Sequence, residues 1–308
     1  MGKQTKLIDF MQWRKIALAF SAVLLLASII SLGLKGLNFG LDFTGGTLVE
    51  VDYSESVDLQ EVRQTLSAAG YENAVVVNFG SDTDVLVRLP VTENAKVGDE
   101  VLATLRNATD LDVDLRRTEF VGPSVGEELR EQGGLAMLLA LAVVLVYVAM
   151  RFQLKFAVGA VVALAHDVTI VLGIFSMLGF DFDLTVLAAV LAVIGYSLND
   201  TIVVSDRMRE NFRMLRKGDS THIINVSLSE TLGRTLVTSF TTAVVLLALI
   251  LIGGELIFGF GVALLIGVLI GTYSSVYVAA NVMLMMGISR EDLIIPEKEG
   301  EDAVDMMP

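Results

Sequence analysis

The chain has no cysteine and only two histidines, His166 and His222. Disulfides, thiol nucleophiles and cysteine-bound metals are thereby excluded, and two histidines are a thin basis for a histidine metal centre. It contains no G-x-x-x-x-G-K-[ST] stretch. Without that phosphate-cradling loop, nucleotide hydrolysis is not expected. Basic residues are scarce: 22 Lys and Arg stand against 36 Asp and Glu, a formal charge of −14. That balance argues against a nucleic-acid partner. Charged residues of both signs make up 19%, whereas hydrophobic residues reach 54% and mean hydropathy is +0.66. The apolar excess over a soluble domain points to the membrane.

A spanning helix needs about 20 mostly apolar residues. Six runs qualify: 16–34, 134–151, 156–178, 184–204, 235–253 and 257–285. The first is too long for a signal-peptide core and is followed by no small-residue cleavage site, so it reads as an uncleaved anchor. Lys3, Lys6, Arg14 and Lys15 precede it. Arg151 and Lys155 separate the second and third runs, and Arg207, Arg209, Arg213, Arg216 and Lys217 follow the fourth. The short loops 179–183 and 253–256 have no Lys or Arg. The positive-inside rule therefore places both termini in the cytoplasm and residues 35–133 on the far side. Residues 1–15 form a cytoplasmic N-terminus, 205–233 a basic interfacial connector lying against the membrane, and 286–308 an acidic, disordered cytoplasmic tail.

Residues 35–133 carry nineteen Asp and Glu against eight Lys and Arg. Gly46–Tyr53 alternates as a strand does. Asp58 can cap a helix over 59–69, with Leu59, Val62 and Leu66 on one face and Gly70 as its stop. Residues 73–80 and 84–90 suggest a hairpin around Ser81-Asp82-Thr83. A second helix fits 93–108, with Val101, Leu102 and Leu105 inward, and 111–120 is a last strand. The order β-α-β-β-α-β is that of a small ferredoxin-like α+β domain.

Within the apolar runs, a few polar residues stand out. Asp200 interrupts the fourth; an ionised aspartate at a helix centre costs about 2.5–3.5 kcal/mol on insertion scales. A carboxyl there can bind and release a proton, as a relay requires. Tyr196 and Ser197 share its helical face, and Asn199 and Thr201 flank it. The bland alternative is a carboxyl reaching the cytoplasmic headgroups. Arg234 opens the fifth run, with Thr238, Thr241 and Thr242 on its face at i+4, i+7 and i+8. That stripe could line a hydrated path or bring Arg234 to Asp200; equally, Arg234 could anchor the helix while the threonines bond their own backbone. His166-Asp167 lies midway along the third run, where an ionisable pair is either functional or a helix–helix hydrogen-bonding device. Gly259, Ala263, Gly267, Gly271, Ser275 and Ala279 recur every four residues in the sixth run, a small-residue seam for close helix packing. Asp42-Phe43-Thr44-Gly45-Gly46 joins span to domain: the glycines suit a tight turn, Asp42 a backbone bond or hinge.

One span, a domain and then five spans is half of a resistance-nodulation-division (RND) transporter layout. The stretches NFGLDFTGGT (38–47), VGPSVGEEL (121–129), VIGYSLNDTIVVSDRMREN (193–211) and TLGRTLVTSFTT (231–242) occur in order at matching places in that plan. Together they resemble the SecF family, the smaller membrane subunit of the bacterial SecD–SecF accessory complex of the Sec translocase, over about residues 10–290. The resemblance implies a bacterial inner-membrane protein whose residues 35–133 are periplasmic. It implies partnership with SecD, the SecYEG channel, YajC and YidC, unfolded preprotein substrates and membrane lipids. The proton-motive force would help draw preproteins out on the periplasmic side, with protons as the coupling ion and no bound cofactor or catalytic group. Asp200 and Arg234 match positions assigned to proton conduction in that family. The expected fold is thus an α-helical polytopic membrane protein, six transmembrane helices in an RND-like half-bundle with a ferredoxin-like periplasmic domain between the first two. Rival readings are a half-transporter exporting a small molecule or lipid, an intramembrane aspartyl protease using Asp167 and Asp200, and a purely stabilising subunit. The protease needs two carboxyls sharing a proton, and the residues before Asp200 do not follow the G-x-G-D pattern of that class.

Overall fold

The computed structural model describes residues 7–91, 96–215 and 217–293. A short 3-10 turn (Phe10–Trp13) leads into α1 (Arg14–Leu34). This helix buries Ser21, Ser28 and Ser31 while Ile16, Val23, Leu26 and Ile30 point outward. Such a pattern is inverted for water and right for lipid, where small and hydroxylated residues make the helix contacts. The partner is α6 (Leu154–Leu178): Ser31 and Ser176 hydroxyls bond at 2.9 Å, and Ser28 occupies the space a side chain at Gly173 would need.

After α1 come β1 (Asn38–Phe39), α2 (Leu41–Thr44), β2 (Gly46–Tyr53), α3 (Leu59–Ala68), β3 (Val75–Phe79), β4 (Ser81–Leu89), α4 (Val97–Ala108) and β5 (Val113–Val121). The sheet order is β3-β4-β2-β5 and every pair is antiparallel, which is the ferredoxin-like arrangement. Val49 and Val51 of β2, Val85 and Val87 of β4, Leu66 of α3 and Val101 and Leu105 of α4 close one core. The expected elements are recognisable. Asp58 caps α3 by accepting from Gln60 N at 2.8 Å, and Gly70 ends it with φ 95°. At the hairpin, Phe79 pairs with Ser81 and the next pair inward is Asn78 with Val85, so the chain bulges over residues 82–84. The expected start of the second helix at residue 93 lies outside the described residues.

Among the described residues, six helices are long and apolar enough to cross a membrane. The second, α5 (Pro123–Arg151), starts eleven residues before the apolar run, with Pro123 in its first turn where a missing N–H costs nothing. Gly126 lets it lie on the Gly45 backbone: a Cβ there would sit 2.8 Å from Gly45 N. After α6 comes β6 (Asp181–Phe182), then α7 (Leu184–Met214), α8 (Ser220–Ile252), α9 (Glu255–Ser274), a π-helical turn (Ser275–Ala279) and α10 (Ala280–Met285).

Two expectations need correction. Residues 205–233 do not form a separate interfacial connector. They are the continuous ends of α7, which runs to Met214, and α8, which starts at Ser220, where Asp219 caps it through His222 N at 3.0 Å. Their apolar faces are buried, not laid on a surface: Met208, Phe212, Ile223, Ile224 and Leu228 pack with Phe10 and Met11. Nor does the tail come loose at residue 286. Ile288 and Leu293 are 2% exposed within the same core, and Asp292 pairs with Lys155 at 2.7 Å. Residues 294–308 lie outside the described residues.

Domain and bundle also meet around the end of α6 and the start of α7. β1 and β6 pair in parallel, Asn38 with Asp181 and Phe39 with Phe182. Phe39, Phe43 and Phe182 cluster with centroids 5.8–6.1 Å apart, and Arg88 of β4 forms an ion pair with Asp181. Asp42 accepts from Leu184 N at 3.0 Å, so together with Asp183, which accepts from Val186 N at 2.8 Å, it caps α7. Gly45 and Gly46 take φ of 68° and 127°, the left-handed conformations glycine permits.

Candidate functional site: buried polar layers among the helices

α7 carries Asp200 into the space between α8 and the π-helical turn. The residue is 7% exposed; its Oδ1 accepts from Thr235 Oγ1 at 2.8 Å. Its Oδ2 is buried and makes no hydrogen bond among the described residues; the Ser275 hydroxyl beside it gives its proton to the Gly271 carbonyl at 2.9 Å. Buried polar atoms are nearly always paired, so an orphaned carboxylate oxygen calls for an explanation. Next to it, Thr201 Oγ1 and Ser275 Oγ bond at 2.9 Å.

Arg234 is not brought to Asp200. Successive residues of a helix point about 100° apart, and Thr235 takes the inward direction. Arg234 is exposed and has no ion pair among the described residues. Thr238, Thr241 and Thr242 donate to carbonyls of their own helix, at 3.1 Å to Arg234 O, 2.9 Å to Val237 O and 2.9 Å to Thr238 O. That is the self-bonded arrangement rather than a lined path.

A second layer lies one turn along. Asp167 is fully buried; His166 Nδ1 meets its Oδ1 at 2.8 Å, while Ser197 and Ser274 donate to its Oδ2 at 2.5 and 2.6 Å. Ser197 thus serves Asp167, not Asp200. His166 Nε2 lies 3.2 Å from Ser21 Oγ on α1, and Ser21 lies 3.0 Å from the Tyr273 hydroxyl. Tyr196 donates to Ser239 at 3.2 Å, and Ser239 meets Thr272 at 2.6 Å. Asn199 faces outward. Asp167 and Asp200 do not bond each other, so the shared-proton pair of an aspartyl protease is not formed.

Sequence reasoning missed the partners: Thr235, Ser274, Ser275, Ser21 and Tyr273. The signals were a serine doublet at the end of the small-residue seam and buried serines spaced along α1. The π-helical turn begins at Ser275, and such turns recur at functional sites because they redirect one turn of side chains.

Comparison with known proteins matches two families. Residues 100–289 match "Protein export membrane protein SecD/SecF, C-terminal" and residues 30–57 match the "SecD/SecF GG Motif". The second contains the Asp42–Gly46 turn. The protein translocase subunit SecF of Vibrio alginolyticus is 50% identical over 99% of this chain and 98% of its own. That of Pseudomonas aeruginosa is 52% identical over 98% of each. The crystal structure of SecDF from Thermus thermophilus, a translocon-associated membrane protein, superposes with a TM-score of 0.85 at 35% identity. The match covers 93% of this chain and 39% of that one. SecDF in a super-membrane-facing form superposes less closely, with a TM-score of 0.69. With half the residues identical along its whole length and both family descriptions matched, the chain belongs to the SecF family of protein translocase subunits.

Proposed function

We propose that this protein works as an accessory subunit of the Sec translocase, coupling proton movement at Asp200 to the release of preproteins across the membrane. The solved SecDF chain extends well beyond the 39% matched here, and SecD is the partner that would supply the remainder. SecYEG, YajC and YidC would complete the assembly around an unfolded preprotein, with lipid around the outward aliphatic faces. The membrane is the bacterial inner membrane, both termini are cytoplasmic, and the β-sheet domain is periplasmic. The proton is the only coupling species required.

The observation that carries the reading is the Asp200 carboxyl: buried, held on one side by Thr235 and unpartnered on the other. A buried carboxyl with one free oxygen has a place for a proton and, among the described residues, no cation paired with it to make that proton unnecessary. Gain of the proton removes a charge between α7 and α8, and loss restores it, so the two helices pack differently in the two states. The far end of α7 is held by Asp42 and Asp183, beside the junction that grips the domain. Each charge crossing the membrane supplies about 2.3 kcal/mol per 100 mV, and a few protons bias a two-state equilibrium of several kcal/mol. Arg234 enters one step removed, on the outer face beside Thr235, where it would meet a partner helix. That one solved SecDF is described by its super-membrane-facing form, and matches this chain less closely than the other, supports a chain that changes arrangement.

Asp200→Asn in cells lacking the native copy tests this. Proton-dependent export should be lost at normal protein abundance. Export that stays normal and still responds to the proton-motive force sinks the proposal.

A further inference from the structure

We infer that His166 and Asp167 form a second, fully buried proton-holding site, an imidazolium–carboxylate pair whose proton state sets the contacts between α1, α6 and α9. This rests on the proton-coupled reading above for its purpose, though not for its chemistry.

The chemistry follows from counting donors along one chain of hydrogen bonds. The Tyr273 hydroxyl donates to the Ala17 carbonyl at 2.6 Å. A phenol has one proton, so at the 3.0 Å contact with Ser21 the serine is the donor. Ser21 has then used its own proton, so at 3.2 Å from His166 Nε2 it can only accept. Nε2 must therefore carry a hydrogen. On the other side, Ser197 donates to Asp167 Oδ2 at 2.5 Å, and Ser274, 2.6 Å from that oxygen and 3.1 Å from the Gly271 carbonyl, gives its one proton to the nearer, so Oδ2 is the acceptor of both. One more proton must lie between His166 Nδ1 and Asp167 Oδ1, 2.8 Å apart, and the imidazole, intrinsically the stronger base, holds it. Both ring nitrogens bear protons, and the imidazolium and carboxylate together are neutral.

Neutrality is what the surroundings demand. His166 is 3% exposed and Asp167 0%. Among the described residues, Ser21, Ser197 and Ser274 bond the pair and Tyr273 lies with its ring centroid 6.3 Å from the imidazole. None of these offers a compensating charge. The nearest further carboxyl along α7 is Asp200, three residues after Ser197. Loss of one proton to the aqueous phase would leave a neutral imidazole and a net charge of −1 with no cation beside it, which is costly when buried. It would also turn Nε2 into an acceptor. Ser21 would then swing its hydroxyl to the ring and give up Tyr273, loosening the tie between α1 and α9. The site also touches the Asp200 layer twice: Ser197 precedes Asp200 by one turn of α7, and Ser274 adjoins Ser275, which bonds Thr201.

The test uses the full chain assembled with SecD in lipid and labelled with 15N-histidine. Because there are only two histidines, His222→Gln leaves a single residue to observe. Both His166 nitrogens should show directly bonded hydrogens at pH 7.5, and Asp167→Asn should leave one nitrogen bare at the same pH. A bare nitrogen at either ring position in the protein with Asp167 intact overturns the proposal. In proteoliposomes, His166→Gln keeps hydrogen bonding but cannot hold the extra proton. It should cut proton uptake at least tenfold and shift its pH profile; unchanged uptake with an unchanged profile also overturns the proposal. If Asp200→Asn proves silent while the doubly protonated ring is seen, the coupling reading fails and the proton-holding pair stands.

Discussion

Gly267 offers a sharp test of how this bundle is packed. A Cβ built at Gly267 falls within contact distance of the Cβ and both γ-carbons of Val193 on α7. Val193 is itself 0% exposed and, being β-branched on a helix, has almost one allowed rotamer, so it cannot step aside. Gly267→Ala should therefore push α7 and α9 apart. Overpacking of this kind costs about 1–3 kcal/mol, against a gain of about 1 kcal/mol from replacing glycine in a helix. Gly195→Ala is the matched control: nothing lies within 4 Å of its Cβ, so only the helix gain applies and the sign reverses. Val193→Ala alone removes two buried methyl groups, worth about 1.6 kcal/mol at 0.8 per carbon. In the double variant the new methyl occupies the space the valine vacates. The pair should then be less destabilised than the sum of the singles, with a coupling of about 1–3 kcal/mol. Thermal unfolding of the four proteins in one detergent reads this directly. Additive costs, or Gly267→Ala as stable as its parent, would refute the packing argument.

Other consequences are checkable too. The Lys155 ammonium, with the Ser289 N–H, holds the Asp292 carboxyl below its ordinary range. A depressed carboxyl stabilises the docked segment above its unfolded-state value and loses that contribution as pH falls through the depressed one. A fluorophore on Glu291→Cys, in a chain with no other cysteine, should therefore stay immobile from pH 7 to about 5. It should loosen below about 4, and Asp292→Asn should remove that dependence. The Arg88–Asp181 pair is partly exposed, 22% and 42%. Arg88→Ala should thus change global stability by no more than about 1 kcal/mol, yet broaden the distance distribution between spin labels at Thr83→Cys and Leu178→Cys; an unchanged distribution would remove this pair from the junction.

The sequence made the helices and the domain legible because both obey periodic rules. Leu59, Val62 and Leu66 mark the face of α3, and the alternation of Gly46–Tyr53 marks a central strand. Where an apolar run ends, however, a helix need not. Residues 205–214 and 220–233 are charged on one side only, and the buried side, Met208, Phe212 and Ile224, continues the periodicity across the expected boundary. Residues 123–133 show the same thing at the start of α5, where Pro123 begins a helix that composition assigns to the domain. The candidate site divides along a different line. Asp200, His166 and Asp167 were visible because charge in an apolar run is conspicuous. Their hydroxyl partners were not, since serine and threonine are common in spanning helices and only the fold says which ones converge. Arg234 shows the limit of face arithmetic on one helix: the stripe with Thr238, Thr241 and Thr242 is real, but it is the neighbouring direction, through Thr235, that meets Asp200.

The small-residue row on α9 has a consequence for how the helix is seated. Residues four apart advance about 40° around a helix, so the row winds as it climbs. It begins against α7, where Gly259 meets Val186, Gly267 meets Val193 and Gly271 meets Ser197. It finishes against α6, where Gly159 meets Ala279. α9 is therefore seated like a screw in two nuts at once. Ser275, which bonds Thr201, sits on the thread where it passes from one nut to the other, and Ser274, which bonds Asp167, adjoins it.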